Sequence, residues 1–134
     1  MSVQVSWYDD AHTIVLQAFS PGWTWEDFDR AHDQTFALIA SAGNAASFIT
    51  DLRTAPSPPT PNIIGHLQRI TRNLPATVTQ IVVVGPGPFM RLMGDIFVNA
   101  MGSFGKKVSF AESLDAAGLI IHDKMSEAVA KPIH

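Results

Sequence analysis

Gln80-Ile81-Val82-Val83-Val84-Gly85-Pro86-Gly87-Pro88 is an apolar, β-branched run that stops at a turn. Such a run without polar alternation is the pattern of a strand covered on both faces, as in the parallel sheets of α/β proteins. The two glycines and Pro86 break the strand, and Pro88 suits the first position of a helix, where its missing N–H is not needed. One buried strand leading through a tight turn into a helix predicts an α/β fold, and the flanking sequence can be read against that expectation.

Upstream, Val3-Gln4-Val5-Ser6-Trp7 alternates apolar and polar residues, the period of a half-buried strand. Tyr8-Asp9-Asp10-Ala11 supplies turn chemistry, and His12–Phe19 is rich in β-formers, so the two strands should form an antiparallel hairpin. Ser20-Pro21-Gly22 ends it. Thr24 is the expected N-cap of a first helix, with Glu26 and Asp27 in the first turn and Trp23 and Phe28 as a hydrophobic staple. From Trp25 to about Ala42, residues Phe28, Ala31, Thr35, Leu38, Ile39 and Ala42 share one helical stripe, widened by Trp25, His32 and Phe36. Gly43 is the expected stop. Ser47–Leu52 reads as a third strand, parallel to the second because a helix separates them. Arg53–Pro61 holds four prolines in nine residues and cannot be helical. Asn62 is placed to cap a second helix to about Asn73, with Ile63, Leu67, Ile70 and Leu74 inward and Arg69 and Arg72 outward.

Downstream of Pro88 a third helix is expected to about Met101, closed by Gly102 and Gly105. Lys107–Phe110 reads as a last strand. A fourth helix should start at Glu112 or Ser113 and run to about Ala128, with Leu114, Ala117, Ile121 and Met125 inward. The element order is then ββαβαβαβα: one domain, residues 1–130, with a mostly parallel mixed sheet, an N-terminal antiparallel hairpin and four helices, followed by a frayed tail over 131–134.

Composition narrows the function classes. The chain has 134 residues, a net charge of -3, no cysteine, 46% hydrophobic residues and only 16% charged ones. The charged share is well below the roughly 25% of an average soluble domain, which points to an apolar surface that meets a partner. Disulfides, thiolate metal sites and cysteine catalysis are excluded. A mildly acidic balance argues against nucleic acid, and no apolar run approaches the ~18 residues needed to insert across a bilayer. The start lacks the basic and apolar regions of a signal peptide, so a cytoplasmic chain is expected.

The third strand ends Ile49-Thr50-Asp51-Leu52-Arg53. The fourth leads into Val84-Gly85-Pro86-Gly87 and then Met90-Arg91-Leu92-Met93-Gly94-Asp95-Ile96-Phe97. The chain closes with Val108-Ser109-Phe110 and Ser113-Leu114-Asp115-Ala116-Ala117. With the element order, these segments resemble the STAS (anti-sigma-factor antagonist) domains and their SpoIIAA-like relatives over nearly the whole chain. The resemblance implies a non-enzymatic regulatory or protein-interaction domain. In regulatory STAS domains the third strand leads to an Asp-Ser-Ser/Thr-Gly-like turn bearing a phosphorylatable hydroxyl. This chain departs there: its loop carries Thr54, Ser57 and Thr60, and nothing in the match selects one of them.

The third predicted helix is apolar around most of its girth. Phe89, Leu92, Met93, Ile96 and Ala100 centre on one face, while Met90, Phe97, Val98 and Met101 lie on an adjacent arc with Gly94. The second arc is expected to be an association surface, first of all for a homodimer, and otherwise for a regulatory protein partner. A helix buried by its own C-terminal segment is the structural alternative.

Other motifs fail. Gly85-x-Gly87 lacks the third glycine of the dinucleotide fingerprint, because position 90 is methionine, and Pro86 and Pro88 remove donors an anion would need. Residues 100–107 mimic a P-loop but lack its first glycine and final hydroxyl. The five histidines show no metal spacing, and there is no Gly-x-Ser-x-Gly elbow, so no cofactor, metal or catalytic residue is assigned. Asp51 lies at a strand's carboxyl end, where open α/β sheets bind ligands. Asp51 is expected to hydrogen-bond the next loop; the alternatives are an acid–base pair with His66 on the following helix, or a rim with Trp25, Ser57 and His66 for a small apolar or anionic ligand.

Overall fold

The computed structural model describes residues 2–55, 63–85, 87, 88 and 107–130, with side chains up to residue 124 in the last stretch. Five strands form one sheet: β1 (Val3–Trp7), β2 (Ile14–Phe19), β3 (Ala46–Asp51), β4 (Val78–Val84) and β5 (Val108–Ala111). They lie side by side in chain order. β1 pairs antiparallel with β2, and every later neighbour is parallel. Among the described residues there are three helices, α1 (Trp25–Ala42), α2 (Ile63–Asn73) and α3 (Leu114–Ala130). The expected α/β class and mixed sheet are therefore present. The helix predicted over 88–101, with Met90, Phe97, Val98 and Met101, lies outside the described residues apart from Pro88, as do Ser57 and Asn62, the cap expected for the second helix.

The sheet's two faces are covered differently. Val15, Phe19, Phe48, Ile81 and Val83 pack with Phe28, Ala31 and Ile39 of α1 and Leu67 and Ile70 of α2. Ile14, Ile49, Val82, Val84 and Ala111 face Ala117 and Ile121 of α3. The two-residue period of a strand is what separates these sets: in β3, Ala46 and Phe48 point one way and Ile49 the other. α3 lies over β3, β4 and β5, while α1 lies over β1 and β2 and against α2.

Local chemistry sets the element ends. Thr24 caps α1 through a complete capping box, its hydroxyl accepting from the Asp27 N–H at 3.1 Å while the Asp27 carboxylate accepts from the Thr24 N–H at 3.0 Å. Trp23 packs on Phe28 at 5.9 Å between ring centroids, as the staple requires. Gly43 closes α1 with φ 72°, a left-handed position that favours glycine. The second strand starts two residues later than expected. Asp9 accepts the backbone N–H groups of Thr13 and Ile14, each at 2.9 Å, and draws 9–13 into the turn, with His12 at φ 56° stacked on Trp7.

A polar ladder crosses the α1 side of the core. The Gln17 amide donates to Thr35 at 2.8 Å, Thr35 donates to the Ala31 carbonyl at 2.8 Å, and Thr50 donates to Gln17 at 2.8 Å. All three side-chain carriers are buried, so each bond joins groups removed from water.

Candidate functional site

The parallel strands end where α1 and α2 begin, and that rim gathers most of the polar chemistry. On α1, Trp25, Asp29 and Asp33 recur every four residues and so share one face. On α2, His66 and Arg69 are three apart and meet that face. His66 stacks flat on Trp25, with ring centroids 4.4 Å apart and planes 6° apart, while its Nδ1–H reaches the Asp29 carboxylate at 3.1 Å. Arg69 Nη2 donates to both oxygens of Asp33 at 3.2 and 3.3 Å, and its buried Nη1 lies 3.8 Å from Asp29 without a hydrogen bond. Asp29 thus fixes the imidazole's orientation, and in the neutral ring Nε2 is left as the acceptor. Trp23 anchors the edge of the cluster, its indole N–H donating to the Ala55 carbonyl at 3.2 Å.

Asp51 belongs to a different group. Arg53 grips it in a fork, with Nε to Oδ1 and Nη2 to Oδ2 both at 3.0 Å, and the Arg53 backbone N–H adds a bond at 3.1 Å. That grip, with the charge of Asp51 beside it, holds the guanidinium above its ordinary pKa. Asp51 thus bonds the next loop, as expected, and the alternative Asp51–His66 pair does not form. By strand alternation Asp51 lies on the Ile49 side, facing α3, whereas His66 sits on a helix packed against the Phe48 side. The rim candidates accordingly separate: Trp25 and His66 come together, and Asp51 pairs with Arg53 on the other face.

Arg69 was expected outward with Arg72, and it turns instead into the seam against Asp29 and Asp33. Sequence reasoning missed this acid pair; the available signal was its four-residue spacing beside a helix carrying His66 and Arg69 at a spacing of three. His32 lies deeper, between the rings of Phe28, Phe36 and Phe48, and its Nδ1–H donates to the Phe28 carbonyl at 2.8 Å. Burial lowers its pKa to about 4, outweighing that hydrogen bond and the nearby Asp29 and Asp33 charges. It is a neutral core residue.

Among the described residues, no three His, Cys, Asp or Glu side chains are grouped to hold a metal ion, and no helix is long and apolar enough to cross a membrane. The fold and rim define an α/β protein with a five-stranded mixed sheet and a histidine–carboxylate cluster at its strand ends. No family model, curated protein or solved structure matches the chain.

Proposed function

We propose that the chain is a non-enzymatic regulatory domain of STAS-like type, with the predicted third helix as a fourth element of a SpoIIAA-like fold, and that it works through protein contacts as a cytoplasmic homodimer. The observation that carries the reading is the sheet: an N-terminal antiparallel hairpin followed by parallel strands in chain order, the layout the resemblance implies. The rim supports it too. Its polar groups are engaged with each other, as Asp51–Arg53, His66–Asp29 and Arg69–Asp33. Ile64, 45% exposed in the first turn of α2, adds apolar surface beside them.

Light scattering coupled to size exclusion tests the assembly. The expected mass is twice that of the 14.5 kDa chain, and Phe97→Glu, on the second apolar arc of 89–101, should return it to the single-chain value. A monomer at high micromolar concentration overturns the dimer.

A second reading, a small apolar or anionic ligand at the strand ends, is favoured by the partly exposed Trp25–His66 stack, a flat wall at the same rim as the Arg53 guanidinium. A thermal-shift screen of small planar and anionic metabolites checks it: a hit whose shift vanishes in Trp25→Ala supports the site, and a hit unchanged by that substitution sinks it.

A further inference from the structure

We draw no further inference here: the strongest candidate, the outer edge of β1, where Val5 and Trp7 turn their backbone N–H and C=O groups away from β2 and meet no further strand among the described residues, carries nothing because nothing in the structure shows what covers it.

Discussion

His32 and Gln17 show what single buried polar groups do in this core. His32 stays neutral in the folded protein down to about 4, whereas in the unfolded chain it takes up a proton near 6.5. Between those values the unfolded state binds more protons, so stability drops as pH falls from about 6.5 toward 4, while above 6.5 this contribution is intact. A shift of this size corresponds to at most about 3 kcal/mol. Urea midpoints measured from pH 7 to pH 4.5 should therefore fall, and His32→Leu should flatten that slope. Asp9 titrates in a lower window: burial raises its pKa, but the Thr13 and Ile14 hydrogen bonds together outweigh it and hold the carboxyl below its usual value. Its contribution is lost only as pH falls through that lowered value. Gln17→Leu makes a complementary test. It leaves the buried Thr50 hydroxyl without an acceptor, at a cost of about 1–3 kcal/mol. Adding Thr50→Val removes the orphaned donor, so the double variant should recover most of that loss in a denaturant titration with unchanged slope.

At the scale of elements, α1 is the best-specified unit, because its start, stripe and stop agree. Thr24→Ala removes one half of a reciprocal cap and should lower stability by about 1 kcal/mol, a few degrees in melting temperature. Asp27→Ala removes the other half, and the two losses should be less than additive in a double-mutant cycle, since both act on the same pair of bonds. Within α1 the apolar stripe was legible from spacing alone: Phe28, Ala31, Thr35 and Ile39 are buried as their helical period requires. The face toward α2 was not. Its Asp29 and Asp33 were passed over in the sequence reading, and it is the docking of α2 that gives them His66 and Arg69 as partners.

For the molecule as a whole, the two sheet faces divide the work. α1 and α2 close one face over the polar ladder and the aromatic core, and α3 closes part of the other. This layering puts the Trp25–His66 cluster and the Asp51–Arg53 fork at the same end of the strands. The low charge content that suggested an apolar contact surface is partly absorbed by Ile49, Val82 and Val84, which are buried within one chain. The rest is the claim that 89–101 joins two copies, which the scattering measurement decides. The order of the five strands and of the three helices among the described residues, the hairpin, the α1 cap and the α1 stripe were readable from the amino-acid order, because each depends on residues within a few positions of one another. Folding in three dimensions chose the partners of His66, Asp51 and Arg69 and the slipped register between β3 and β4. Each of those joins elements distant in the chain or turns on which sheet face a side chain takes, and local spacing carries no record of such meetings.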